Sequence, residues 1–204
     1  MLAGLTDFIL ATVGEWGYTG IVVMMALESS FVPFPSEVVM IPAGYLVDKG
    51  EMSLTLVLLS GYAGSMIGAW VNYFLAISLG RNFLYSYGKY FFMKPKTLDK
   101  MEDFFQKHGA VSTFTGRLIP GIRQLISIPA GLSKMPFAMF SFYTFLGAAI
   151  WSTILVSLGY VLGEEEALIK QYLHQLIFVS LGLVTLILGV YVYFYKRKEK
   201  NNRT

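Results

Sequence analysis

Long runs of uncharged, mostly apolar residues divide the chain. Three of them, at 52–80, 135–163 and 171–195, are 29, 29 and 25 residues long. A helix needs about 20 such residues to cross the hydrocarbon core of a bilayer. The pattern therefore predicts three transmembrane helices, at about 53–80, 137–162 and 173–195.

Two further apolar stretches, 17–50 and 109–135, are interrupted midway by prolines. Neither arm of either stretch approaches the length needed to span a bilayer. Broken backbone at membrane depth is tolerated only inside protein or beside a water-filled cavity. We therefore interpret both stretches as re-entrant helical hairpins. Their predicted breaks contain Pro33, Pro35, Pro42 and Gly44 in the first hairpin, and Gly116, Pro120, Pro129 and Gly131 in the second.

Basic residues set the expected orientation, because Lys and Arg are enriched in cytoplasmic segments. The tail 196–204 has five basic residues and one acidic residue, and segment 81–108 holds one Arg and five Lys. Segment 163–172 instead has three Glu and one Lys or Arg. We therefore place the C-terminus and segment 81–108 in the cytoplasm, so that the two hairpins enter the membrane from opposite faces.

Two short amphipathic segments complete a single membrane domain over residues 1–204. Segment 1–16 has no basic residue ahead of its apolar stretch and so differs from a signal peptide. It is interpreted as an interfacial helix, with a frayed or partly packed terminal helix as the alternative. Segment 94–108 is interpreted as a second interfacial helix, on the cytoplasmic leaflet, whose apolar face holds Leu98, Met101, Phe104 and Phe105.

The chain contains an internal sequence repeat with an offset of 87 residues. Pro33 matches Pro120, and the tetrapeptide Ile-Pro-Ala-Gly at 41–44 recurs at 128–131. A long apolar helix follows each hairpin. Because the two hairpins are expected on opposite faces, the fold class predicted is an all-α membrane protein with an inverted-topology repeat and an extra C-terminal transmembrane helix. Many secondary transporters have this organisation.

Composition agrees with a membrane location and narrows the chemistry. Hydrophobic residues make up 55 % of the chain and charged residues 14 %, against about 25 % charged in soluble domains. The absence of cysteine excludes disulfides, thiolate metal sites and cysteine nucleophiles. His108 and His174 lack metal-ligand partners at helical spacing. We therefore expect no metal, no cofactor and no nucleic-acid partner.

Away from their ends, the hairpins carry four charges that sum to zero: Glu28, Glu37, Arg117 and Arg123. A charge at the bilayer centre costs about 3 kcal/mol and faces a partner or a cavity. One interpretation is a salt-bridge cluster that holds the hairpins together. The other is a substrate site, since Arg and exposed helix starts both favour phosphate groups.

Asn72 is the one strongly polar side chain in the first predicted span. It is a secondary candidate for the site. A hydrogen bond between helices and a contact with ligand are its two expected roles.

The two hairpins resemble the DedA family of bacterial membrane proteins over about residues 15–165. The first family motif is matched by Glu28, Pro33, Pro35 and Glu37, and the more specific second motif by Gly116, Arg117, Pro120 and Arg123. The resemblance implies two opposed re-entrant hairpins in the bacterial cytoplasmic membrane and a role in moving lipids between leaflets. It also implies that the acidic and basic residues of the two motifs are the essential positions.

Members of this family are assigned to undecaprenyl phosphate recycling, to phosphatidylethanolamine flipping and to resistance that depends on the proton-motive force. Our first expectation is a translocase for undecaprenyl phosphate, whose phosphate suits two Arg while its tail stays in lipid. A phosphatidylethanolamine or general phospholipid flippase is the alternative within this class. A membrane scaffold is a third, and the sequence leaves a homodimer open.

An enzyme is not expected. A lipid-phosphate phosphatase needs a His nucleophile and a second His, and neither His108 nor His174 is near Arg117 or Arg123 in the chain.

Glu28 and Glu37 are also candidates for proton coupling. In an empty site their carboxylates balance the two guanidinium groups. A phosphate monoester adds a charge of about −1.5 to −2. Its binding is then expected to favour proton uptake by one carboxylate, and a proton gradient could bias transport in this way.

Overall fold

A computed structural model describes residues 16–30, 35–87, 95–120 and 122–162, together with positions 182, 185, 186, 189, 190 and 193. This part of the chain is helical and contains no strand. Several predictions fall outside the described residues. These are the interfacial helix 1–16 apart from Trp16, Pro33, most of the span 173–195, and the tail 196–204.

Six helices follow one another before the C-terminal segment. They are α1 at residues 16–28, α2 at Glu37–Asp48, α3 at Leu54–Tyr87, α4 at Pro95–Arg117, α5 at Ser127–Leu132 and α6 at Phe137–Leu162. Residues 29–36 separate α1 from α2, and residues 118–126 separate α4 from α5. We call these two connections the first break and the second break.

Two of the helices are long and apolar enough to cross a bilayer, over Leu54–Ser78 of α3 and Phe137–Leu162 of α6. They lie where the sequence predicts the first two spans. An exposed apolar stripe recurs every three or four residues along α3, as expected of a surface that meets lipid. The stripe consists of Leu56, Leu59, Ile67, Val71, Phe74 and Ile77.

The two long helices run antiparallel and are joined by polar side chains. Tyr62 and Thr153 share a hydrogen bond of 2.7 Å between their hydroxyl oxygens. Further along α3, the indole Nε1 of Trp70 donates to Ser141 Oγ over 3.0 Å. Residue numbers thus fall along α6 as they rise along α3, which fixes the opposite directions of the two helices.

The two breaks are shorter than the sequence predicts. Pro35 and Pro120 lie in them, but Pro42 lies inside α2 and Pro129 inside α5. Pro129 is the third residue of α5, where a backbone N–H has no acceptor within the helix. Pro42 is the sixth residue of α2 and removes one hydrogen bond, to the Val38 carbonyl, which membrane helices tolerate. The prediction that these two prolines break the chain is wrong.

The glycines predicted at the breaks serve close helix contact. Gly44 lies in α2, Gly131 in α5 and Gly116 in the last turn of α4. A Cβ atom at Gly44 would collide with the Val156 carbonyl of α6, and one at Gly131 would collide with the Tyr73 carbonyl of α3. Small residues let membrane helices approach this closely. The prediction of chain breaks at Gly44 and Gly131 is therefore wrong, whereas Gly116 lies two residues before the second break.

Helices α2 and α5 end in the same way. After each helix, two successive amides donate to carbonyls three and five residues earlier, the pattern of a Schellman cap. The residue in the left-handed region is Gly50 after α2, with φ of 76°, and Lys134 after α5, with φ of 52°. Both caps stop the helix and turn the chain into a long apolar helix.

Helix α4 bends at His108, where φ is −129° and ψ is 15°. Ser112 Oγ donates to the His108 carbonyl over 2.9 Å, beside this bend. The bend falls between segment 94–108, which the sequence interprets as an interfacial helix, and the apolar arm 109–117.

Two hydrophobic clusters pack the molecule. The first joins α1, α2, α3 and α6 through residues such as Ile21, Met40, Val57 and Leu155. The second joins α3, α4, α5 and α6 and includes Tyr73 and Phe140, whose rings stack with centroids 4.5 Å apart. Each break is therefore attached to both long helices through an apolar core.

Candidate functional site

Three of the four charges predicted in the hairpins come together. Glu28 is the last residue of α1, Arg117 the last of α4, and Arg123 lies in the second break. Their exposed fractions are 2 %, 3 % and 8 %. All three line one cavity of about 10 Å³, which is close to the smallest volume that holds a water molecule. The site is closed in this structure.

Arg123 connects the two breaks. Its guanidinium donates to Glu28 Oε1 over 2.5 Å and to Ser36 Oγ over 2.6 Å. The guanidinium carbon also lies 5.3 Å from the centre of the Trp151 ring, within the range of a cation–π contact. Arg123 is thereby held by α1, by the first break and by α6.

Both carboxylate oxygens of Glu28 accept hydrogen bonds from neighbouring donors. Besides Arg123, Gln124 Nε2 lies 3.5 Å from Oε1, and Ser29 Oγ donates to Oε2 over 2.8 Å. A buried carboxylate is stable when its charge is paired and its lone pairs are satisfied. Glu28 therefore pairs directly with Arg123, whereas no hydrogen bond joins it to Arg117 in the described part of the chain.

Arg117 is buried without a carboxylate of its own. It donates to Ser127 Oγ over 2.9 Å, and among the described residues its Nε has no acceptor. Two guanidinium groups and one carboxylate leave the cluster with a formal charge of +1. An unneutralised charge is costly in a low-dielectric interior, so an anion that entered this cluster would be stabilised.

Glu37 does not join the cluster. It is half-buried at the first position of α2, and within the described part of the chain its carboxylate makes no hydrogen bond or ion pair. Ser36, the preceding residue, is the one that contacts Arg123. Successive helical residues point about 100° apart, so Glu37 is directed away from Arg123. The prediction of a neutral cluster of four charges is wrong for this reason.

Asn72 holds the two breaks against α3. Its Nδ2 lies 3.2 Å and 3.0 Å from the carbonyls of Ser29 and Ser30, and 3.2 Å from the carbonyl of Gln124. Asn72 does not line the charged cavity. Of the two roles expected for it, the structure shows the contact between chain segments.

Comparison with known proteins places this architecture in a family. Residues 34–161 match the model of the VTT domain, which is more than half of the chain. The matched region contains Arg117, Arg123, all of α3, nearly all of α6 and residues 34–36 of the first break. The chain belongs to the VTT-domain (DedA) family.

Relatives of this VTT-domain protein are named as membrane proteins, as transporters and as a phosphatase-like protein. It is 40 % identical over 182 residues to the uncharacterized membrane protein YkoX of Bacillus subtilis, covering 89 % of this chain and 80 % of the relative. It is 37 % identical to undecaprenyl phosphate transporter A of the same organism, covering 80 % and 81 %. It is 34 % identical to an alkaline phosphatase-like protein of Lactococcus lactis subsp. cremoris, covering 96 % of each. No solved structure matches the chain.

Sequence reasoning missed several residues of the VTT-domain site. Ser36 and Ser127 hold the two arginines, and Trp151 lines the cavity. Ser36 could have been found from the sequence, because it matches Arg123 at the 87-residue offset of the repeat. The position of Trp151 in the site could not have been predicted, because α6 is apolar on all sides and its sequence pattern does not show which face points inward.

Replacing Asn72 with Ala is expected to destabilise the protein. The change leaves buried carbonyls of both breaks without their donor, at a cost of about 1–3 kcal/mol. Thermal unfolding in detergent measures the effect as a lower Tm. Ser78→Ala, at an exposed position of the same helix, is the matched control. Equal Tm values for the wild type and the Asn72→Ala variant would show that the two breaks do not depend on this contact.

Proposed function

We propose that this VTT-domain protein is a transporter, not an enzyme, that moves a phosphate-bearing lipid across the bacterial cytoplasmic membrane, and that undecaprenyl phosphate is its substrate. One observation carries the proposal: Arg117 is buried to 3 % exposure with no carboxylate partner among the described residues. Such a group favours an anionic ligand, and the guanidinium fork matches phosphate oxygens.

The charge of the cluster favours a phosphate monoester over a zwitterionic lipid. A monoester brings about −1.5 to −2 charges to a site with a formal charge of +1. The headgroup of phosphatidylethanolamine carries an ammonium group as well as a phosphate, so it has no net charge to neutralise the site. The relative named undecaprenyl phosphate transporter A, 37 % identical to this chain, supports the same choice.

Transport requires the site to open. A cavity of about 10 Å³ cannot admit a phosphate group. The contacts that close it connect the two breaks through Arg123, Ser36 and Asn72. We propose that the breaks separate toward one face of the membrane at a time, while the lipid tail remains in the bilayer.

Helix lengths and directions support a re-entrant first hairpin. Helix α2 has 12 residues and is about 18 Å long, whereas the hydrocarbon core is about 30 Å thick. Gly64 packs at Val22 and Gly68 at Ala26, so residue numbers rise together along α1 and α3. Helices α1 and α3 are therefore parallel, and the short α2 returns the chain between them.

Packing between the repeats supports their inverted relation. Helix α2 of the first repeat packs on α6 of the second at Gly44, and α5 of the second packs on α3 of the first at Gly131. These two glycines match at the 87-residue offset. A reciprocal exchange of this kind is expected of two units related by a two-fold axis.

The charged cluster lies where that axis would pass. Arg123 donates to Ser36, and these residues match at the 87-residue offset. A residue contacts its own symmetry mate only close to a two-fold axis. Transporters with inverted repeats bind their substrates at the repeat interface near the midplane, which supports a substrate site at this cluster.

Cysteine labelling tests the topology, since the chain has no cysteine. Trp16 and Asp48, at exposed positions of the first hairpin, should each react with an impermeant reagent from outside the cell when replaced by Cys. Lys134→Cys, at the end of the second hairpin, should react only after the cytoplasmic side is opened. Labelling of positions 16 and 48 from opposite faces would contradict the re-entrant interpretation.

A phosphatase is the competing function, because one relative is named alkaline phosphatase-like. The residues that line the cavity supply arginines, serine hydroxyls and a carboxylate, but no imidazole. His108, the one His among the described residues, lies at the bend of α4. Release of inorganic phosphate is therefore measured in the transport experiment below.

Arg117→Lys is expected to lower undecaprenyl phosphate transport in proteoliposomes by about tenfold or more. Lysine keeps the charge but loses the planar fork that holds Ser127 and phosphate together. Lys107→Arg, an exposed change outside the cavity, is the control and should be neutral. Near-normal transport by a folded Arg117→Lys protein would favour a scaffold role. Phosphate release by the wild type would favour the phosphatase.

We further propose that transport is coupled to protons through Glu28. The cluster has a formal charge of +1 when empty, so a phosphate dianion leaves it at about −1. Uptake of one proton by Glu28 restores neutrality, and release of substrate on the other side returns that proton. Glu37 is not part of this balance, because it lies off the cavity.

A pH gradient across proteoliposomes is expected to change the final distribution of undecaprenyl phosphate between leaflets. Glu28→Gln mimics the protonated carboxylate and can still accept from Arg123, so it should transport without responding to the gradient. Glu37→Gln is the matched control and should respond like the wild type. A wild-type distribution that ignores the gradient would make the protein a passive scramblase.

A further inference from the structure

Two buried donors line the same cavity without an acceptor. They are Trp151 Nε1 and Arg117 Nε, neither of which has a partner among the described residues. Their side chains are 2 % and 3 % exposed. Ser65 and Ser152 add two hydroxyl groups to the cavity wall. Donors thus converge from α3, α4 and α6 on one small volume.

The chemistry of these donors specifies what would satisfy them. Indole and guanidinium groups donate hydrogen bonds and accept none. Leaving a buried donor unpaired costs about 1–3 kcal/mol, and native proteins keep few such groups. Glu28 accepts from Arg123 and Ser29, and neither unpaired donor forms a hydrogen bond to it. The missing partner is an acceptor, and the positive charge of the cluster favours an anionic one.

We infer that Trp151 is a substrate-binding residue whose indole N–H, with Arg117 Nε–H, holds one oxygen of the phosphate group. This inference rests on the proposed transport of a phosphate lipid and names a further residue of its site. Ser127 accepts from the Nη2 end of Arg117 and so leaves the Nε edge of the guanidinium for the ligand. Ser127 is thereby a positioning residue.

Trp151 serves both arginines through different parts of one ring. Its face lies 5.3 Å from the guanidinium carbon of Arg123, and its edge carries the unpaired N–H. Substitution can separate these roles, because Phe keeps an aromatic face but has no N–H. Trp151→Phe therefore tests the hydrogen bond while leaving the cation–π contact in place.

Trp70 provides a matched control within the chain. It lies in α3, the helix that corresponds to α6 in the repeat. Its indole Nε1 already donates to Ser141 Oγ over 3.0 Å, and it does not line the charged cavity. The two tryptophans thus differ in whether the indole N–H has an acceptor among the described residues.

Nuclear magnetic resonance of the indole N–H groups tests the inference directly. The full-length protein, labelled with ¹⁵N-tryptophan and held in nanodiscs, is titrated with farnesyl phosphate and, separately, with farnesol. Farnesyl phosphate should shift the Trp151 indole proton downfield and leave the Trp70 proton unchanged. Farnesol should shift neither. The Trp151→Phe spectrum assigns the resonance.

Affinity gives a second readout. Trp151→Phe should weaken farnesyl phosphate binding by about tenfold, the usual scale for a hydrogen bond to a charged group, whereas Trp70→Phe should not. Should Trp151→Phe fail to fold, the spectra of Trp16→Phe and Trp70→Phe assign the Trp151 resonance by elimination among the three tryptophans, and the wild-type titration still decides.

The outcomes separate this inference from the proposed function. If farnesyl phosphate binds the wild type, but the Trp151 resonance stays in place and Trp151→Phe binds normally, the inference is wrong and transport of a phosphate lipid stands. An equal shift with farnesol would overturn the assignment to a phosphate oxygen. If no phosphate lipid binds or crosses the membrane with the wild type, both proposals fail.

Discussion

A buried arginine without a counter-ion is the constraint on which the rest of the structure depends. Arg117 ends α4 in an apolar interior, and the carboxylate nearest to it, Glu28, is already paired with Arg123. Burial of such a charge is unfavourable unless a ligand or partner compensates for it. The fold therefore has to supply enough packing elsewhere to hold this positive site in place, and an anionic ligand would stabilise the protein as it binds.

Close helix contact supplies that packing. Glycines at 44, 131 and 159 let short helical arms and long helices meet backbone to backbone, and Gly147 leaves room for the Arg117 side chain. Because the arms end at the breaks, Glu28 and Arg117 project from helix ends, and Arg123 from the second break, into one space. The breaks themselves are joined by a few polar contacts, through Asn72 and Arg123. A site held by few polar contacts between rigid packed arms is suited to opening without unfolding.

Much of this arrangement could be predicted from the sequence, and the exceptions have physical causes. Uncharged runs located α3 and α6 because spanning length is fixed by bilayer thickness, and the cost of buried charge singled out Arg117 and Arg123. The prolines led to wrongly predicted chain breaks, because Pro42 and Pro129 lie inside helices. The direction of the Glu37 side chain and the burial of Trp151 depend on how each helix is rotated about its own axis. The sequence pattern of an apolar helix does not show this rotation.

The central claim is that the uncompensated guanidinium of Arg117 binds a lipid phosphate. The most direct measurement is competition for the purified protein between undecaprenyl phosphate and undecaprenol, which share a tail and differ in the headgroup. A bound fluorescent polyprenyl phosphate should be displaced by undecaprenyl phosphate and not by undecaprenol at the same concentration. Equal displacement by both would show that the protein binds the tail alone, and would contradict a phosphate site at Arg117.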